Sequence, residues 1–229
     1  MAAPRIKFCG TTSVEDAELA VELGAWAVGL IFYPGSPRYC DPAVAGAIAG
    51  RLRRRAEVVG VWVNGHLDEV SEAASDLGLT MVQLHGDEGP AYCAEVARRT
   101  GCRIIKAVPV ASAGDLQALG VYHTDFHLLD TRHGRLRGGT GETWDWRMAA
   151  AGRLRTDVPR ILSGGLRPDN VAEAIEIVRP YAVDVVSGVE ASPGVKDPEK
   201  MTAFAEAVRA TAPAEVPAAE VPAPEVPAT

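Results

Sequence analysis

Cysteine is sparse here, with four residues (Cys9, Cys40, Cys93, Cys102) in 229 and neither Cys-x-x-Cys spacing nor crowding among them. That excludes a disulfide-stapled scaffold and a zinc ribbon, and it fits a reducing compartment. No run of about 18 apolar residues occurs, so no membrane span is predicted. Met1 to Arg5 hold no apolar stretch of the kind a secretory signal needs, and a cytoplasmic location is expected. Basic excess is also missing: the formal net charge is −7, which argues against a nucleic-acid surface. Three of the acidic groups (Glu215, Glu220, Glu225) stand near the end of the chain, so the body is nearer neutral. Small molecules or a second copy of the chain are the expected partners; the sequence does not choose between monomer and homodimer.

What is present is one period, repeated. Hydrophobic content is 47%, enough for a substantial core. Short β-branched runs alternate with Ala/Glu/Leu-rich amphipathic segments, and Gly, Pro, Asp or Asn marks the joints. Eight strands are predicted: Ile6–Cys9, Ala27–Phe32, Val58–Val63, Met81–His85, Ile104–Val108, Phe126–Asp130, Arg160–Ser163 and Val183–Ser187. Helices are predicted to start near Val14, Pro42, Leu67, Pro90, Ala113, Trp144, Pro168 and Pro198. Ser13-Val14-Glu15-Asp16 has the form of a capping box. Eight strand–helix units imply a parallel sheet, and eight is the number at which such a sheet closes into a (β/α)8 TIM barrel. A doubly wound open sheet is the alternative. It would usually carry a Gly-x-Gly-x-x-Gly turn after its first strand, where this chain has Cys9-Gly10-Thr11-Thr12. The barrel is assigned to residues 1–210. Residues 211–229 repeat an Ala/Pro-Glu-Val-Pro unit whose proline density predicts a disordered, Pro/Ala/Glu-rich tail.

In such a barrel, chemistry gathers at the carboxyl ends of the strands. Side chains alternate along a strand, so Lys7 shares a face with Cys9, Gln83 with His85, Leu128 with Asp130, and Asp184 with Val186. Charged Lys7 is a poor fit beneath a helical shell, so its face should look into the barrel. The polar set Lys7, Cys9, Gln83, His85, Asp130 and Asp184 then converges on one mouth. Leu162-Ser163-Gly164-Gly165-Leu166 and Ser187-Gly188-Val189-Glu190 follow strands seven and eight, the usual phosphate position in these barrels. Gly138-Gly139-Thr140-Gly141-Glu142-Thr143 lacks the lysine of a P-loop and reads as a glycine-hinged cover over the site. His123 and His127 stand four apart, but they flank and enter a strand rather than a helix, and no metal site is expected.

Taken together these segments resemble the phosphoribosylanthranilate isomerases of tryptophan biosynthesis. The matching motifs begin with Lys7-Phe8-Cys9-Gly10, Ser36-Pro37-Arg38-Tyr39 and Val59-Gly60-Val61-Trp62-Val63-Asn64. They continue through Val82-Gln83-Leu84-His85-Gly86-Asp87-Glu88, Leu128-Leu129-Asp130-Thr131 and Gly138-Gly139-Thr140-Gly141. Leu162 to Leu166, Val183 to Glu190 and Pro193-Gly194-Val195-Lys196-Asp197 complete the series. The resemblance spans residues 5 to about 209. It implies a cofactor-free Amadori rearrangement of N-(5-phosphoribosyl)anthranilate to 1-(2-carboxyphenylamino)-1-deoxyribulose 5-phosphate. On matching positions it implies Asp130 as general acid, Cys9 as general base, and Arg38 as partner of the anthranilate carboxylate. Gly164, Gly165, Ser187 and Gly188 would hold the phosphate, and Gln83, His85 and Asp184 would line the substrate site.

Those roles make physical demands. An unperturbed cysteine is only about 3% thiolate at neutral pH, so Cys9 needs help. Lys7, about 6.6 Å along the same strand face, is the expected source. Asp130 must instead keep a proton near neutrality. Lys7 is also expected to pair with Asp184, since strands one and eight become neighbours on closure. Two departures from the family pattern stand out: Glu142 replaces a common lysine in the covering loop, and Val186 replaces a common serine near the phosphate. The competing functions are a different phosphosugar enzyme, a dual-substrate isomerase also serving histidine biosynthesis, a paralogue in a specialised pathway, and a non-catalytic phosphosugar-binding barrel. A cysteine opposite Asp130 argues against the histidine-pathway enzyme, which uses two aspartates.

Overall fold

Eight parallel strands hydrogen-bond in chain order, and the first pairs with the eighth, closing a barrel. The computed structural model describes residues 3–131, 146–147 and 157–212. The strands are β1 (Arg5–Cys9), β2 (Ala27–Ile31), β3 (Glu57–Trp62), β4 (Met81–Leu84), β5 (Arg103–Val110), β6 (Phe126–Thr131), β7 (Arg160–Leu162) and β8 (Ala182–Val185). Between and after them run α1 (Val14–Glu22), α2 (Pro42–Leu52), α3 (Leu67–Asp76), α4 (Pro90–Thr100), α5 (Ala113–Ala118), α6 (Val171–Val178) and α7 (Pro198–Ala210). The chain is thus a (β/α)8 barrel, as its repeating pattern predicts. The helix expected near Trp144, the covering loop at 138–143 and the tail from residue 213 lie outside the described residues. No helix among those described is long and apolar enough to cross a membrane.

The helix starts follow from their caps. Ser13 accepts the Asp16 N–H at 3.1 Å, one arm of the expected capping box. The complete reciprocal box occurs instead at Ser112 and Asp115, where it holds the short α5. Proline opens α2, α4 and α7, where its missing N–H goes unneeded. Helix α6 begins at Val171, three residues beyond the prolyl start expected at Pro168. Arg167 to Asn170 form a turn there: the Asn170 side chain accepts the Arg167 N–H at 2.8 Å and donates to the Gly165 carbonyl at 3.0 Å.

Alternation along the strands splits the apolar residues into two layers. Ile6, Phe8, Leu129, Leu162, Val183 and Val185 face outward and pack beneath the helices. Cys9, Met81, Leu128, Ile161 and Ala182 face inward and fill the barrel. At the amino-terminal ends of the strands, Trp26, Phe126 and Tyr181 meet ring to ring at 5.4–5.6 Å between centroids. The Arg5 guanidinium lies over this group, 5.0 Å from the Tyr181 ring centre. These rings form the floor of the barrel, so its inner face becomes polar only toward the other end.

Candidate active site

Closure of the barrel sets Lys7 opposite Asp184 in the β1–β8 register, and the two pair as expected. Lys7 Nζ donates to Asp184 Oδ1 at 2.6 Å, with both side chains buried. Asp184 Oδ2 accepts the Ser163 hydroxyl at 3.1 Å. Burial alone would depress the lysine, but the Asp184 carboxylate and then Cys9 outweigh it, and the ammonium is held above its ordinary range.

Cys9 occupies the next inward position of β1. Burial pushes its thiol up; Lys7 pulls it down, and Asp184 pushes it up again, leaving it raised. Lys7 lowers this thiol as expected, but its pull, countered in part by Asp184, does not offset desolvation. The sulfur lies against Gly29, its register partner on β2, where an added Cβ would stand 2.5 Å from Sγ. Only glycine leaves that space.

A second group gathers on β4 and β6. The Gln83 side-chain nitrogen meets His85 Nδ1 at 2.9 Å, and His85 Nε2 meets Asp130 Oδ2 at 3.1 Å. With the amide donating to Nδ1, the ring proton sits on Nε2 and is donated to Asp130. Gln83 Oε1 is buried with no hydrogen-bond partner among the described residues. The loop carrying His85 is braced from behind. Lys106 donates to the Gly86 carbonyl at 2.8 Å and to Glu88 at 2.7 Å, while Glu88 accepts the Asn64 and Gly86 N–H groups.

Arg38, on the loop after β2, forks onto Glu190 with Nε–Oε1 and Nη2–Oε2 distances of 2.8 Å. Lys196 Nζ lies 3.4 Å from Glu190 Oε1 and donates to the carbonyls of Cys9 (2.7 Å) and Val186 (3.1 Å). Among the candidate residues read from the sequence, Glu190 appeared only within a glycine turn and Lys196 only within a motif. No spacing rule links them to Arg38, because the contact spans 152 positions. The turns after β7 and β8 come together: a Cβ on Gly188 would stand 1.9 Å from the Leu166 carbonyl oxygen. Gly164 and Gly165, in the first of these turns, have φ of 90° and 67°. Ser187 lies just past β8, on a 3-10 turn (Ser187–Val189), rather than on the strand as expected.

Elsewhere, His127 faces outward beneath the helices, where Nε2 lies 3.3 Å from the Tyr122 carbonyl and burial lowers its pKa. Cys40, Cys93 and Cys102 are also buried in the outer layer, and burial raises each thiol. A cavity of about 860 Å3 between α2 and α3, lined in part by Arg53, Arg54 and Arg55, lies at the amino-terminal ends of the strands. It contains none of the candidate residues.

A closed parallel barrel whose inner face turns polar at the carboxyl ends of its strands has the layout of a (β/α)8 enzyme. The family model for N-(5'-phosphoribosyl)anthranilate (PRA) isomerase matches residues 6–207. The chain belongs to that family and is an isomerase of tryptophan biosynthesis. The N-(5'-phosphoribosyl)anthranilate isomerase of Citrifermentans bemidjiense is 49% identical over 197 residues, covering 86% of this chain and 93% of that protein. The crystal structure of phosphoribosyl anthranilate isomerase from Thermotoga maritima superposes with a TM-score of 0.84 at 42% identity, covering 90% of this chain and 99% of the other. A crystal structure of such an isomerase in complex with reduced 1-(o-carboxyphenylamino)-1-deoxyribulose 5-phosphate gives 0.81 at 40% identity, with the same coverage.

Proposed function

We propose that this chain converts N-(5-phosphoribosyl)anthranilate to 1-(2-carboxyphenylamino)-1-deoxyribulose 5-phosphate with Asp130 as general acid and Cys9 as general base. Asp130 gives a proton to the ribose ring oxygen as the bond from that oxygen to C1′ breaks, and the anilino nitrogen becomes a Schiff base. The Cys9 thiolate takes the C2′ proton, and the electron pair moves to form the enolamine. Tautomerisation of the enolamine to the ketone completes an exchange of protons that needs no external redox partner.

The reading rests on one observation: an inward thiol at the carboxyl end of β1 and an inward carboxyl at that end of β6 share one rim of a closed barrel. The hydrogen bond from His85 to Asp130 Oδ2 supports the acid role by fixing the orientation of the carboxyl group. Gln83 acts by fixing the His85 tautomer, and Asp184 by holding Lys7 beside the thiol. Gly164, Gly165, Ser187 and Gly188 take the 5′-phosphate, where glycine backbones allow close approach of N–H groups to an anion. Arg38 takes the anthranilate carboxylate, a planar anion suited to its planar fork.

Each proton-transfer group contributes roughly 10²–10⁴-fold. Cys9→Ser and Asp130→Asn are each expected to lower turnover at least about 100-fold. The assay follows loss of substrate fluorescence, with the substrate generated in situ. Near-normal turnover in either variant refutes the assignment.

A further inference from the structure

Arg38 faces the candidate site with one edge already engaged. Its Nε donates to Glu190 Oε1 at 2.8 Å and Oε2 at 3.1 Å, and Nη2 donates to Oε2 at 2.8 Å. The stem of the side chain lies over the turn after β1, where a Cβ on Gly10 would stand 2.9 Å from Arg38 Cδ. Glu190 also accepts the Gly194 N–H at 3.3 Å and approaches Lys196 at 3.4 Å. All three charged side chains are buried. A guanidinium offers two bidentate edges. Glu190 occupies the Nε–Nη2 edge, which leaves the Nη1–Nη2 edge for a second carboxylate. The formal charges agree, since two cations face one carboxylate and one further anion would balance them.

We propose that Glu190 is a specificity-determining positioning residue, which fixes the plane of the Arg38 guanidinium so that its remaining edge receives the carboxylate on the substrate's aromatic ring. This rests on the role given to Arg38 above. Glu190 does not compete with the substrate for Arg38; it aims the side chain. Lys196 extends the same network to the Cys9 carbonyl, so the anchor for the aromatic carboxylate and the reactive sulfur share one rigid frame. An aromatic amine lacking that carboxylate would leave a cation buried without its counter-charge, and the site would reject it for that reason.

The test compares two inhibitors, reduced anilino-pentitol 5-phosphates with and without the ortho carboxylate. Inhibition constants are measured for the wild-type chain, Arg38→Met, Glu190→Gln and Glu190→Asp. The wild type is expected to favour the carboxylated compound by roughly 10–100-fold, the range for a charge-assisted pair. Arg38→Met should bring that ratio close to one. Glu190→Gln should bring it within about threefold, with affinity for the carboxylate-free compound unchanged. Glu190→Asp keeps the charge but shortens the reach. It should lose part of the ratio, and it supplies the measurement if Glu190→Gln fails to fold. A wild-type ratio in both Glu190 variants, or equal weakening of both inhibitors, overturns the proposal. A wild-type ratio in Arg38→Met overturns the role of Arg38 itself, and the proposal with it.

Discussion

Gly29→Ala offers a sharp test of how the thiol is seated. The added Cβ would stand 2.5 Å from Cys9 Sγ and 3.2 Å from both Cys9 Cα and Cβ. Ordinary contact begins near 3.4 Å, so the sulfur has to move by about 1 Å or change rotamer, because its neighbours are the paired backbones of β1 and β2. Overpacking of this kind costs about 1–3 kcal/mol. For a chain of this size that lowers Tm by roughly 2–4 °C per kcal/mol. A displacement of about 1 Å at a reacting atom costs on the order of 100-fold in rate. Turnover should therefore fall about 100-fold while KM changes little, since the three atoms nearest the added Cβ all belong to Cys9. Thermal melting of Gly29→Ala in a Cys9→Ala background isolates the cause, because removing the sulfur removes the closest contact. The two changes should couple by about 1 kcal/mol or more. Wild-type turnover in Gly29→Ala, or strictly additive stabilities, would refute this account of the seat.

Two further outcomes follow from buried charge. Lys7→Met strands the Asp184 carboxylate and should cost about 3–5 kcal/mol by denaturant melting. Lys7→Met with Asp184→Leu should recover most of that loss, and a double variant no more stable than the single would show the pair to be uncoupled. The raised Cys9 thiol means the folded chain holds that proton more tightly than the unfolded one. Its contribution to stability is full below the unfolded pKa and is lost as pH rises through the folded one. Alkylation of Cys9 by iodoacetamide, followed by mass spectrometry, should accordingly keep climbing about tenfold per pH unit past the unperturbed thiol value of 9.0. A plateau below that pH contradicts the direction of the shift.

Much of this molecule was legible as a period. Apolar runs between glycine, proline and aspartate joints located all eight strands to within two residues at every end, because buried parallel strands read as continuous apolar stretches. Strand β5 extends two residues further than expected, to Val110, through pairing with β6 that local sequence does not encode. Alternation assigned Lys7, Cys9, Gln83, Asp130 and Asp184 to the inner face, and closure brought Lys7 to Asp184. What stayed hidden was tertiary. The Lys7 charge does reach Cys9, but burial of the thiol outweighs it, and that burial is set by packing rather than by spacing. Glu190 was read only as the end of a phosphate-binding turn and Lys196 only as part of a motif. Glu190 is held by Arg38, which belongs to the loop after β2, 152 positions earlier in the chain.

The ring cluster of Trp26, Phe126 and Tyr181, capped by Arg5, makes the barrel a cup rather than a pipe. Sugar phosphates are therefore expected to enter and leave at the opposite, polar end, so a finished molecule must vacate before its successor can enter. Accumulating product should thus hold the enzyme back by occupancy alone.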